Sequence, residues 1–197
     1  SGLFISIPFF KSAKVEKLNR HESVSCMPNL DNLCRSDVKE RRWEYIVIHH
    51  SATAKGNAAR FDQYHKKKKG WEYGLAYHFV IGNGSFSGDG EIEVGNRWRK
   101  QIHGAHTANM NCNRVAIGIC LVGDFENGGA PKENQFESLV SLVQYLSRKY
   151  NIPSSNILEH KHVHQKATAC PGKNFPFTEL KTRLLQIASK SSNHKEL

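Results

Sequence analysis

The chain has 197 residues, a length that suits one domain with extensions rather than two full domains. Hydrophobic residues make up 39% and charged residues 23%, an ordinary globular balance, and no run of eighteen apolar residues predicts a membrane-spanning helix. The net charge of +10 favours an anionic partner such as nucleic acid, acidic lipid or an acidic polymer.

Residues 1–42 show no sustained hydrophobic period and mix an apolar start with polar and charged residues. We interpret them as an N-terminal extension that packs on, or trails from, a main domain spanning 43–188. The chain begins at Ser1 rather than at a methionine, and we expect a periplasmic or secreted protein whose signal peptide has been removed. In an exported protein, Cys26 and Cys34 are candidates for a disulfide.

Strand and helix patterns alternate after residue 43. Tyr45–His50 is a β-branched run typical of a buried strand, 57–68 predicts a helix, and Leu75–Ile81 predicts a second strand. The glycine-rich stretch up to Gly95 suits hairpins or irregular loops. Val115–Val122 is apolar almost throughout, as expected of a central strand.

The second half of the chain contains the longest helical pattern. Apolar residues between Glu133 and Tyr150 recur at helical spacing, and a short strand at 157–158 follows. A last helix is predicted over Thr178–Ala188 with Thr178 as its N-cap, followed by a polar tail at 189–197. The alternation predicts an α/β fold with a central mixed β-sheet flanked by helices.

The densest charge run is Lys66–Lys69. Such runs usually solvate a helix end or a loop, and no nucleic-acid-binding module or stacking signature accompanies this one. The sequence therefore predicts no nucleic-acid partner.

Histidines and one cysteine cluster in a way that indicates a metal site. The chain has eleven histidines, and His49 stands at the end of a predicted strand. Residues two apart share a face of an extended strand, so His160, His162 and His164 could all point the same way, and spacing alone does not choose among them. Cys170 follows on the next loop. Two histidines and one cysteine leave a fourth tetrahedral position open, which is the catalytic pattern for Zn²⁺.

Four sequence blocks stand in the order found in one protein family. They are Ile46-Val-Ile-His-His-Ser-Ala-Thr53, Leu75-Ala-Tyr-His-Phe-Val-Ile81, Ala116-Ile-Gly-Ile-Cys-Leu-Val-Gly-Asp-Phe125 and Thr168-Ala-Cys-Pro-Gly172. Over residues 43–185 the chain resembles the N-acetylmuramoyl-L-alanine amidases that include animal peptidoglycan recognition proteins and phage lysozyme-type amidases. The resemblance implies the fold of these amidases, and it implies that the protein hydrolyses the amide bond between N-acetylmuramic acid and L-alanine.

The resemblance also implies a zinc ligand set. His49 matches the first ligand and Cys170 the third. The segment at 157–163 resembles one in which the second ligand precedes a small apolar residue by three positions, which selects His160. A shorter spacing to the cysteine, also found in the family, would select His162.

Other site residues follow from the same resemblance. Tyr77 matches a tyrosine that reaches the attacking water or the reacting carbonyl, and Thr168 stands where the family has lysine or threonine. We interpret His78, His103 and His106 as groups that line the substrate site or support the ligands, with a structural role as the alternative.

The rival interpretation is a module of the same fold that binds peptidoglycan without cutting it. Binding-only members of the family lack the cysteine ligand, so the presence of Cys170 and Tyr77 favours an enzyme. The expected partners are peptidoglycan or muropeptides, with a further electrostatic contact to an anionic cell-wall polymer or membrane surface, and we expect a monomer.

Overall fold

The computed structural model describes residues 29–193, which contain one five-stranded sheet. Its strands are β1 (Tyr45–His50), β2 (Phe79–Asn83), β3 (Asp89–Val94), β4 (Ala116–Leu121) and β5 (Ile157–Glu159). The spatial order is β3-β2-β4-β1-β5. β1 is parallel to β4 and β5, β2 is parallel to β4, and β3 is antiparallel to β2. The predicted mixed sheet is confirmed.

Seven α-helices surround this sheet within the described residues. They are α1 (Leu30–Leu33), α2 (Ala58–Lys69), α3 (Asn96–Arg99), α4 (Met110–Val115), α5 (Glu133–Tyr150), α6 (His160–Val163) and α7 (Phe177–Asn193). A 3₁₀ turn at Ser154–Asn156 leads into β5. Among helices in the described range, none is both long and apolar enough to cross a membrane.

The strand predicted over Leu75–Ile81 forms only in its second half, from Phe79 onwards. The backbone N–H of Leu75 donates to Oδ1 of Asp62 at 2.9 Å, and the next N–H donates to the ring of His65 at 3.2 Å. These donors are therefore taken by side chains of α2 and are not available to a strand ladder.

Helix α5 has the bounds that its apolar spacing predicts, and it buries its apolar face against the sheet. Asn151 ends it in the left-handed conformation, at φ 54°. Helix α7 corrects the prediction at both ends. It begins at Phe177, since the N–H of Leu180 bonds to the carbonyl of Pro176, so Thr178 is not the N-cap. It also continues to Asn193, through most of the predicted tail.

The described part of the N-terminal extension packs on the domain. Cys34 is fully buried, and its carbonyl accepts a hydrogen bond from the indole N–H of Trp98 at 2.8 Å. Glu40 pairs with Lys149 at 2.6 Å and accepts from the hydroxyl of Tyr150 at 2.8 Å. Cys34 thus belongs to the core of the domain, and Glu40 attaches the extension to the end of α5. The suggested disulfide partner Cys26 lies outside the described residues.

Candidate metal centre

The sheet places His49 and His160 side by side. His49 is the fifth residue of β1, and His160 directly follows β5. The register of these parallel strands pairs Ile48 with Glu159, so the two histidines come next on neighbouring strands. The carboxyl ends of parallel strands meet at one edge of a sheet. The ring centroids of His49 and His160 therefore lie only 4.3 Å apart.

Cys170 reaches this edge from the loop between α6 and α7. Its Sγ lies 3.8 Å from Nδ1 of His49, and the backbone N–H of His50 donates to the sulfur at 3.4 Å. The carbonyl of Cys170 accepts from the N–H of Lys161 at 2.9 Å, which attaches the loop to α6. Donor atoms of His49, His160 and Cys170 all lie within 4.8 Å of one another.

Helix α6 separates the three histidines that follow β5. The sequence predicts an extended segment over 160–164, but the chain forms a helix from His160. Residues four apart share a helical face, so His160 Nε2 lies 2.9 Å from His164 Nδ1. His162 points away, is exposed, and lies 3.6 Å from a carboxylate oxygen of Glu159.

His164 is a site residue that strand-based reasoning did not single out. Its Nδ1 accepts from the backbone N–H of Ala108 at 3.0 Å and lies 3.1 Å from the hydroxyl of Thr107. His164 follows His160 by four positions, a spacing that brings two side chains together only if the segment between them is helical.

Burial keeps the three clustered groups neutral without a metal. Desolvation lowers the pKa of His49 well below its ordinary value, and neighbouring histidines add to the effect. The pKa of His160 falls to about 4 for the same reasons. Desolvation raises the pKa of the Cys170 thiol to about 12, although the His50 N–H opposes the rise. The site therefore presents two imidazole lone pairs and one protonated thiol.

Tyr77 and Thr168 lie beside this cluster. The ring of Tyr77 is 5.2 Å from the ring of His49, and burial raises its hydroxyl pKa well above the ordinary value, so the hydroxyl keeps its proton. Thr168 Oγ1 accepts from the backbone N–H of Cys170 at 3.3 Å. The threonine thus stabilises the turn that carries the thiol.

The remaining predicted site histidines separate into three environments. His78 is fully buried, its Nδ1 accepts from the N–H of Gly118 at 2.9 Å, and its Nε2 lies 3.0 Å from the carbonyl of Ile102. Both ring nitrogens of His78 therefore contact backbone groups. His106 is also buried, with its Nδ1 3.1 Å from Nε2 of His49. His103 is partly exposed, with its Nδ1 2.8 Å from the carbonyl of Gly104.

The donor set fits a zinc ion. Zinc binds imidazole nitrogen and thiolate sulfur at roughly 2.0–2.3 Å, which places tetrahedral donors about 3.5 Å apart. The separation of 3.8 Å between His49 and Cys170 is close to that value. Three protein donors also leave one position open, as in catalytic zinc sites.

The structure is that of an α/β domain with a candidate metal site, a His–His–Cys cluster, at the carboxyl edge of its sheet. The family model described as N-acetylmuramoyl-L-alanine amidase matches residues 39–173. The chain belongs to this family.

Solved structures agree with the assignment. The N-acetylmuramoyl-L-alanine amidase LysC from Clostridium intestinale is 33% identical over 76% of this chain and 92% of its own, with a TM-score of 0.62. Drosophila PGRP-LB is 26% identical over 71% of this chain and 83% of its own, with a TM-score of 0.53. The ectodomain complex of peptidoglycan recognition proteins LCa and LCx, solved with tracheal cytotoxin, is 25% identical over 72% and 85%, also at 0.53. A comparison with curated protein sequences found no match.

Proposed function

We propose that the protein is a zinc-dependent N-acetylmuramoyl-L-alanine amidase, which hydrolyses the bond between N-acetylmuramic acid and L-alanine in peptidoglycan or its fragments. The observation that carries the proposal is the convergence of His49, His160 and Cys170 at one edge of the sheet. Membership of the amidase family and the likeness to LysC support the reaction.

The protein's own groups have distinct tasks in this proposal. His49, His160 and Cys170 would hold the zinc, which when bound acts as a Lewis acid and makes water nucleophilic near neutral pH. Tyr77 keeps its proton because burial raises its pKa, and its ring lies 5.2 Å from that of His49, so it would donate a hydrogen bond to the oxygen that gains charge during attack. One such donor contributes about 3 kcal/mol to the stability of a transition state.

Thr168 has a supporting task. Its hydroxyl oxygen accepts from the Cys170 N–H and so holds the thiol-bearing turn, and a hydroxyl that accepts can also donate to a substrate or water. We propose His103, a partly exposed histidine, as a substrate contact. We also propose that the protein acts as a monomer outside the cytoplasm. Its net charge of +10 would attract it to an anionic cell-wall polymer or membrane surface.

The competing function is recognition of peptidoglycan fragments without cleavage. The solved complex of peptidoglycan recognition proteins LCa and LCx with bound tracheal cytotoxin supports this alternative. The buried thiol of Cys170 beside His49 and His160 favours the enzyme, because a module that only binds peptidoglycan does not need a metal site.

A direct test digests purified peptidoglycan with the protein and identifies the products by mass spectrometry. We expect free stem peptides that begin with L-alanine, and their loss after a chelator removes zinc, with recovery on adding zinc back. Stoichiometric binding of muropeptides with no peptide release from any peptidoglycan type would identify a recognition module instead.

A further inference from the structure

The ring of His106 contacts the protein backbone through one nitrogen and His49 through the other. The Nε2 of His106 lies 3.3 Å from the backbone carbonyl of Ala116. A carbonyl oxygen can only accept, so this nitrogen of His106 carries the proton. A neutral imidazole carries one proton, so Nδ1 of His106 is an acceptor in that ring, and it lies 3.1 Å from Nε2 of His49.

The proton positions of both rings follow from this contact. His49 Nε2 must donate, since its partner Nδ1 has no proton to give. Its own Nδ1 is left with a free lone pair, and this is the atom that faces Cys170 Sγ at 3.8 Å.

We infer that His106 is a positioning residue that sets the tautomer and ring orientation of His49, so that Nδ1 of His49 is presented to the metal. The inference rests on the proposed zinc site. Ligand histidines in proteins generally donate their second N–H to a carboxylate, a carbonyl or water. Here a neutral imidazole receives that N–H, and a backbone carbonyl orients the imidazole in turn.

The surroundings of His106 form a slot shaped for its ring. A Cβ added at Gly118 would lie 2.3 Å from Cδ2 of His106, and one added at Gly104 would also lie 2.3 Å from that atom. No side chain therefore fits at either position while the ring is in place. Gly118 belongs to the central strand β4, which is rigidly paired on both sides.

The backbone of His106 is held as firmly as its ring. Oδ1 of Asn113 accepts from the N–H groups of His106 and Thr107, at 3.1 and 3.2 Å. Nδ2 of the same side chain donates to the carbonyl of Thr107 at 2.7 Å. A ring that is fixed by two glycines and by its own backbone can hold His49 in one orientation.

The test compares two substitutions in the full chain. His106→Asn keeps an acceptor, because the amide oxygen of asparagine stands where Nδ1 stood, whereas His106→Leu fills similar space without an acceptor. Zinc affinity is measured by competition with a chromophoric chelator. Imidazole tautomers of the metal-free proteins are read from long-range ¹H–¹⁵N NMR spectra, and thermal unfolding checks that each variant is folded.

We expect the wild-type His49 to be protonated at Nε2 without metal. We expect His106→Leu to weaken zinc binding about 10- to 100-fold, the usual effect of removing such a partner, and His106→Asn to stay close to wild type. Equal losses in both variants, or no loss in either, would show that His106 only fills space and overturn the inference.

The NMR result separates this inference from the proposed function. Finding His49 protonated at Nδ1 would overturn the positioning role even if zinc binds and peptidoglycan is cut. A wild-type protein with the expected tautomer that binds no zinc would instead remove the proposed function, and the ligand-positioning role with it.

Discussion

The Nδ1 of His49 lies 3.8 Å from the Sγ of Cys170, although 121 positions of chain separate the two residues. Neither atom carries a charge at neutral pH in the metal-free protein. Burial lowers the pKa of the imidazole and raises that of the thiol to about 12. Zinc binding must therefore displace one proton, and it comes from the cysteine.

The first prediction concerns the pH dependence of zinc binding. Because the Cys170 thiol keeps its proton and both histidines are already neutral, affinity should rise about tenfold per pH unit between about pH 6 and pH 8. Chelator competition at several pH values measures this slope, and calorimetry in buffers of different ionisation enthalpy counts the protons released. An affinity that does not change with pH would contradict the thiol assignment.

The second prediction is that Cys170→Ala loses both zinc and amidase activity. A matched control is Cys112→Ala, because Cys112 is a half-buried cysteine on α4 that does not belong to the cluster. Metal content is measured by elemental analysis after gel filtration. If Cys170→Ala retains full zinc content, the cysteine is not a ligand.

The third prediction separates His160 from His162. Only the imidazole of His160 lies with His49 and Cys170, whereas His162 is exposed on the opposite side of α6. His160→Ala should lose zinc, and His162→Ala should keep both zinc and turnover. The reverse result would favour the shorter spacing to the cysteine and would mean that α6 is rearranged in the metal-bound protein.

The fourth prediction is that Tyr77→Phe keeps its zinc and loses most of its turnover. Removing one hydrogen-bond donor from a developing oxyanion costs about 100-fold in kcat or more. The exposed Tyr73 offers the control, since Tyr73→Phe removes a hydroxyl that is not beside His49. Steady-state release of peptide from a soluble muropeptide measures both, and an unimpaired Tyr77→Phe would exclude the hydroxyl from the reaction.

The fifth prediction is that acid destabilises the metal-free protein. Burial lowers the pKa of His49 and His78 well below 6.5 and that of His106 to about 3. The unfolded chain then binds protons below about pH 6.5 that the folded chain does not, so the free energy of unfolding falls as pH falls, by about 1.4 kcal/mol per pH unit for each histidine.

Urea unfolding between pH 7.5 and pH 5, without zinc, measures this slope. A stability that is constant or increases on acidification would show that the buried histidines are not held neutral.

Residue patterns along the chain predict much of the fold. The β-branched run at Tyr45–His50 and the helical spacing of Glu133–Tyr150 have the bounds expected from local periodicity. β1 is buried at five consecutive positions and α5 is buried along one face, and both patterns follow from the spacing of apolar residues that are close in the sequence. The strand predicted from Leu75 was wrong in its first half, since side chains of α2 take the backbone donors there.

The order of the motifs likewise determined the family and drew attention to His49 and Cys170. Only the tertiary structure decided which of the other histidines contact His49 and His160. Helix α6 directs His162 to the surface and brings His164 into contact with His160. The space left by Gly104 and Gly118 holds the ring of His106 in contact with His49. These relationships depend on hydrogen bonds and close contacts between distant parts of the chain. Such contacts have no period along the sequence, so only the folded protein defines them.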